Sequence, residues 1–170
     1  MDAEQLKAIQ SPLKQKYREQ PQAAQITLKA RGRIGEGITC KLETERALAQ
    51  AGLHPATGGD GFSLCSGDML LEALVACAGV TLSAVATAIG LELRDAFVSA
   101  EGDLDFRGTL AVSKDALVGS KTIRLKFELV SDAPREQLES LINLTERYCV
   151  VYQTLAHAPQ IVVSFQCQNK

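Results

Sequence analysis

Five cysteines and two histidines hold most of the nucleophilic and metal-binding capacity of this 170-residue chain. The cysteines are Cys40, Cys65, Cys77, Cys149 and Cys167, and the histidines are His54 and His157. A thiol can be a disulfide partner, a metal ligand, a nucleophile or a small apolar group. The cysteine count is odd and no pair forms CxxC, which argues against a secreted disulfide framework. No Cys/His spacing matches a zinc motif, so no metal is expected. A hydrolase built on Cys149 and His157 would lack a recognisable oxyanion loop and an orienting acid. Thiolate chemistry and simple packing remain. Free cysteine is among the most buried residue types, so residue type alone favours packing. A thiol turns reactive where a cation or a helix N-terminus lowers its pKa from about 8.5. The elements around each cysteine therefore decide.

Cys77 sits mid-way in Asp68 to Leu91, DMLLEALVACAGVTLSAVATAIGL, the longest apolar run in the sequence. Leu70, Ala73, Leu74, Cys77, Thr81, Ala84 and Ala88 recur at three- and four-residue spacing and share one helical face. Leu71, Val75, Leu82 and Val85 make the opposite face apolar as well. Such a helix is buried, in a protein core or in a membrane. Glu72 within the span, and the absence of closely flanking Lys or Arg, favour the core. Ser66 is the expected N-cap, Asp68 suits the first turn, and Gly90 ends the helix.

The other segments surround that helix. Residues 1–24 read as a polar helical extension with a thin stripe of Leu6, Ile9, Leu13 and Tyr17, with Pro12 starting or bending a turn and Pro21 ending it. Gln25 to Glu45 alternates with period two around a Gly-rich turn, a hairpin with Arg33 at its tip. Residues 46–65 hold Pro55 and Gly58-Gly59-Asp60-Gly61 and read as a long loop. Leu93 to Phe106 and Thr122 to Val130 read as strands, the second alternating Ile123, Leu125, Phe127 and Leu129 with charged residues. Pro134 opens an amphipathic helix through Arg147. Cys149 then precedes a short helix over Val150 to Ala156, and Ile161 to Phe165 reads as a last strand.

This order is an α+β pattern with 25–170 as a single domain. A sheet of so few strands covers one side of the central helix. A second copy covering the other side predicts a homodimer. Net charge is −2, which points to neither nucleic acid nor an acidic membrane as partner. The start, MDAEQLKAIQ, lacks a signal-peptide plan, so a cytoplasmic location is expected.

LLEALVACAGVTL around Cys77 and LTERYCVVYQTL around Cys149 are the stretches by which the chain resembles the OsmC/Ohr family of organic-hydroperoxide reductases. The hairpin ARGRIGEG, the segment SPLKQKYREQP and the order of elements fit too, so the resemblance covers essentially the whole chain. It implies an intertwined α+β homodimer, with antiparallel sheets from both chains enclosing two long central helices and active sites at the interface. It implies that Cys77 is the peroxidatic cysteine and Cys149 the resolving one. Arg33, with Arg31 second, matches the arginine that holds the thiolate. No cofactor is implied. The substrate would be an organic hydroperoxide and the reductant an external dithiol.

One departure stands out. The hydroperoxide reductases carry a glutamate ten residues before the peroxidatic cysteine, and here that residue is Gly67. Asp68 is the neighbouring acid, and Glu72 is nearer in sequence. At about 100° per residue neither shares the face of Cys77. Asp68 would approach Cys77 if the chain left helical geometry there, or from the partner subunit. Val150 also stands where many members have Pro. A non-catalytic dimer binding an apolar or thiol ligand in its interface pocket is the alternative these departures favour.

Overall fold

A computed structural model of the chain describes residues 2–20, 31–34, 39–43, 48–59, 61–111 and 113–167. Helix α1 is Ala3–Glu19 and runs through Pro12, which removes one backbone donor. Of the expected α1 stripe, Leu6 is half-buried, and the side chains of Ile9, Leu13 and Tyr17 lie outside the described residues.

Strands β1 (Arg31–Ile34) and β2 (Thr39–Glu43) pair antiparallel, as the hairpin expectation required. Its Gly-rich turn lies outside the described residues. The next segment differs from the sequence expectation. Within the supposed loop, β3 (Leu48–Gly52) pairs antiparallel with β2, and β4 (Leu64–Cys65) pairs parallel with β3. The sequence LAQAG lacks β-branched and aromatic residues, so its strand state comes from pairing and not from propensity. Between β3 and β4, Pro55–Thr57 makes one 3-10 turn.

Helix α2 spans Ser66–Ile89 without interruption. Cys65 is the N-cap, one residue before the expected Ser66, and Asp68 is in the first turn. Gly90 adopts φ +69° at the C-cap, and the amide of Leu91 returns to the Ala86 carbonyl at 2.9 Å. This left-handed position suits a residue without Cβ.

Strands β5 (Asp95–Asp103) and β6 (Thr122–Val130) form a separate antiparallel pair. On β6, Ile123, Leu125, Phe127 and Leu129 turn inward and the alternate residues are exposed. Arg124 on that wet face binds Glu101 at 3.1 Å and Asp103 across the ladder. One turn of helix, α3 (Phe106–Thr109), interrupts the connection. Helices α4 (Arg135–Tyr148) and α5 (Val150–Ala156) follow, hinged at Cys149.

The core lies where α4 and β5 meet α2. Leu82, Ala86 and Leu141 are its buried centre, with Val98, Phe127, Leu129 and Ile142 against them. The inward stripe of α2 is Leu74, Ala78, Leu82 and Ala86, a shift from the expected stripe. An all-apolar helix carries no sequence signal for which face turns inward. The rest of α2 is open in the single chain: Val80 is 72% exposed, and Leu70 and Ile89 are also exposed. Length and composition alone would let this helix cross a membrane, but here it packs against α4, α5 and β5.

The expected last strand is not formed. Residues 158–167 have no regular structure, and Ile161, Val162, Val163 and Phe165 are between 82% and 90% exposed. A β-branched apolar run makes a strand only beside an edge that accepts it, and among the described residues no strand pairs with this one.

Candidate functional site

Cys77 lies at the middle of α2, and Cys149 lies at the corner where α4 ends and α5 begins. The corner has a local cause. The Cys149 amide closes α4 on the Thr145 carbonyl at 2.9 Å, and the Cys149 carbonyl starts α5 by accepting from Gln153 at 2.9 Å. Cys149 itself has extended dihedrals, φ −74° and ψ 109°. The axis turns there and α5 begins with its free amides directed at α2. Gln153 Nε2 donates to the Glu146 carbonyl at 2.8 Å, satisfying one of the orphan acceptors of the last α4 turn. The Tyr152 hydroxyl reaches Glu146 Oε2 at 3.4 Å. These two contacts bridge the corner.

The two thiols, 72 residues apart in sequence, are neighbours in space, and each acts on the ionisation of the other. Cys77 is half-buried and Cys149 is 1% exposed. Burial pushes the Cys77 thiol up. The Val151 amide, the Cys149 thiol, the Val150 amide and the Thr81 hydroxyl together outweigh it and hold Cys77 below the ordinary thiol value. The Thr81 hydroxyl also lies 2.8 Å from the Cys77 carbonyl, so its one proton serves either that carbonyl or the sulfur. Cys149 moves the other way. Burial raises it most, and the neighbouring Cys77 adds to the rise, against amides of Tyr152 and Val151. Cys77 is thus the more acidic of the two thiols and Cys149 the less acidic. No cation takes part among the described residues. The donors are the first amides of α5.

The remaining sequence candidates are elsewhere. Asp68 is exposed in the first turn of α2, nine residues before Cys77. At 1.5 Å rise per residue it lies about 13 Å away along the axis. The unbroken helix closes the first of its two routes to Cys77, so within one chain Asp68 does not join the thiols. Arg33 and Arg31 are in β1, opposite Lys41 and Glu43, and their side chains lie outside the described residues. Cys65, twelve residues before Cys77, is about 18 Å along the same axis and does not compete with Cys149 here. Cys40 is in β2 with its side chain outside the described residues. Cys167 is exposed near the end of the chain.

His54 has a structural occupation. Its Nδ1 accepts from the Ala56 amide at 3.0 Å and its ring stacks on Phe106 at 5.0 Å. His157 is exposed at the end of α5, about 12 Å along the helix from Cys149, too far to act as its base. Among the described residues no cluster of His, Cys, Asp and Glu could hold a metal.

A cleft of about 300 Å³ lies between α2, β6 and α5, and neither cysteine lines it. Leu74, one turn before Cys77, and Tyr152, whose amide meets Cys149, are its nearest link to the thiols. Ile123, Leu125 and Leu155 make its apolar part, and Ser120, Lys121 and Thr122 its polar part.

The family model for OsmC-like protein matches residues 58–164, more than half of the chain. The chain belongs to the OsmC-like family. No curated protein matches it in sequence. Among solved structures it is similar to an OsmC like protein from Mycoplasma pneumoniae, at 17% identity and TM-score 0.65, over 78% of this chain and 89% of that one. An organic hydroperoxide resistance protein OsmC from Legionella pneumophila matches at 16% identity and TM-score 0.62, over 79% and 92%. An organic hydroperoxide resistance protein from Elizabethkingia anophelis matches at 12% identity and TM-score 0.62, over 79% and 91%. At these identities the likeness is one of fold, and it bears out the α+β OsmC-like architecture.

Sequence reasoning missed two parts of this OsmC-like site. The amides of Val150 and Val151 are invisible in a sequence except through the helix start that frees them. Gln153 and Tyr152 bridge the corner, and their spacing from Glu146 gives no signal. Thr81 was legible, because it falls four residues after Cys77 on the same face.

Proposed function

We propose that this chain is a thiol-dependent peroxidase that reduces organic hydroperoxides through Cys77 and Cys149, working as a homodimer in the cytoplasm. The observation that carries the reading is the neighbouring pair of thiols at the α2–α5 contact with opposite electrostatic bias. Two fold neighbours named for organic hydroperoxide resistance support it.

In this reading the Cys77 thiolate attacks the outer oxygen of the hydroperoxide. The O–O bond breaks, the alkoxide leaves as an alcohol after taking a proton, and Cys77 becomes a sulfenic acid. The Cys149 thiol attacks that sulfur, water leaves, and a Cys77–Cys149 disulfide forms. An external dithiol returns the pair to thiols. The apolar part of the nearby cleft, Leu74, Ile123, Leu125 and Leu155, supports an organic tail over hydrogen peroxide. The open face of α2 around Val80, Ala73 and Ala76 supports a second copy as its cover. That copy is also the remaining route by which Asp68 would approach Cys77, and Arg33 is retained as the candidate cation for the peroxide.

The test adds one equivalent of cumene hydroperoxide to reduced protein and maps the cysteines by mass spectrometry. The expected result is a Cys77–Cys149 disulfide, and a sulfenic acid trapped at Cys77 in Cys149→Ser. Faster turnover of hydrogen peroxide than of cumene hydroperoxide would remove the role of the cavity. Unmodified Cys77 would overturn the reading in favour of a non-catalytic dimer binding an apolar or thiol ligand, which Gly67 in place of the family glutamate favours.

A further inference from the structure

Exchange at a disulfide is an in-line displacement, with the attacking thiolate opposite the sulfur that leaves. Two sulfurs are available, and their surroundings differ. Cys149 is 1% exposed and enclosed at the α4–α5 corner. A second copy of the chain would only cover it further. Cys77 is half-buried, and the proposed peroxidase reading requires a hydroperoxide to reach it. A path that admits the peroxide admits a thiol.

We infer that the external reductant attacks the sulfur of Cys77, leaving the sulfur of Cys149 as the one expelled. The inference rests on the two-cysteine cycle proposed above and specifies its return half. The reductant thiolate forms a bond to Cys77 Sγ, the Cys77–Cys149 bond breaks, and its electron pair goes to Cys149. The reductant's second thiol then attacks the reductant's own bonded sulfur and releases Cys77 as thiolate. The dithiol is oxidised to a disulfide, and the protein disulfide is reduced to two thiols.

One effect opposes this choice. A less acidic thiol leaves more slowly, and Cys149 is the less acidic of the two. That handicap is a finite factor, and the amides of Tyr152 and Val151 lie ready to receive the departing thiolate. Attack from the Cys149 side first requires α5 to lift away, breaking the Gln153 amide bond to Cys149 and the Gln153 side-chain bond to Glu146. Access therefore decides.

The experiment prepares the disulfide with cumene hydroperoxide, or with diamide if the hydroperoxide fails to form it. Only the first preparation depends on peroxidase activity, so failure of that activity and failure of this inference are separable. The oxidised native protein is pulsed with sulfite or glutathione, quenched with N-ethylmaleimide and mapped by mass spectrometry. The attacked sulfur keeps the S-sulfonate or glutathione, and the expelled one takes the maleimide. The expected result is adduct at Cys77 and maleimide at Cys149 in at least about tenfold excess over the reverse, a difference of about 1.4 kcal/mol between the barriers. In denaturant the preference should vanish. The reverse pattern, an even mixture in native protein, or no native adduct where the denatured disulfide reacts would each overturn the inference. So would failure of both oxidants to join the two cysteines.

Discussion

Gln153 gives the sharpest test of the corner that positions Cys149. Its side chain donates to the Glu146 carbonyl at 2.8 Å, tying the first turn of α5 to the last turn of α4. Gln153→Leu keeps a side chain of similar bulk and the helix propensity and removes the donor. A net hydrogen bond of this kind contributes about 1 kcal/mol, within a range of about 0.5 to 1.5. Its loss raises the population in which α5 has lifted by about fivefold, within about two- to twelvefold. Cys149 is 1% exposed, so a maleimide reaches it only through that open population. Site-resolved labelling of reduced protein should therefore show Cys149 reacting about fivefold faster in the variant. Cys77 is already accessible and should keep its rate. Gln153→Glu sets a carboxylate against the same carbonyl and should exceed the leucine variant. An unchanged Cys149 rate would show that the Gln153 contact does not hold the corner. Equal acceleration at both cysteines would show general loosening, and the assignment of Gln153 as a positioning residue would fall.

Two further outcomes follow from the same geometry. As pH rises, Cys77 should alkylate before Cys149: its thiol is held below the ordinary value of about 8.5 by the α5 amides and the Cys149 donor, so its rate should level off first, while Cys149 climbs at higher pH. Site-resolved iodoacetamide labelling across the pH range reads this, and the opposite order would reverse the roles of the two cysteines. Leu141 is 0% exposed at the α2–α4 contact, and Leu141→Ala should cost about 2–5 kcal/mol. For a chain of this size that is a fall of roughly 5–15 °C in Tm at fixed protein concentration. A loss under about 1 kcal/mol would mean that α4 is not docked on α2 through this residue.

Some of this architecture was legible because its signals are local. The ends of α2 came from Asp68, Gly90 and the apolar run between them, and agree with the observed helix to within two residues. β6 was legible because period-two alternation of Ile123, Leu125, Phe127 and Leu129 has one meaning when charged residues stand between them. The start of α5 after Cys149 was legible too. β3 was not, because LAQAG carries no strand signal of its own and takes its conformation from β2. The contact between Cys77 and Cys149 was not legible from spacing. It depends on how α4 docks on α2, through Leu141 and Ile142 against Leu82 and Ala86. Resemblance named that pair, and the fold gives the physical reason why the two sulfurs meet.

The expectations this chain does not meet alone have one physical feature in common. Asp68 cannot reach Cys77 along a continuous helix. Ile161 to Phe165 is apolar enough for a strand but has no paired edge among the described residues. Val80, Ala73 and Ala76 leave the back of α2 open to water. Each is a surface or segment lacking a counterpart, and one counterpart serves all three. In the proposed dimer, a second copy packed along α2 would cover that back and bring new strand edges. It would also carry another Asp68 to approach from outside the helix. The proposed dimer would therefore serve the site as well as the core: one chain brings the two thiols together, and the partner would add an acid that the helix keeps away from Cys77.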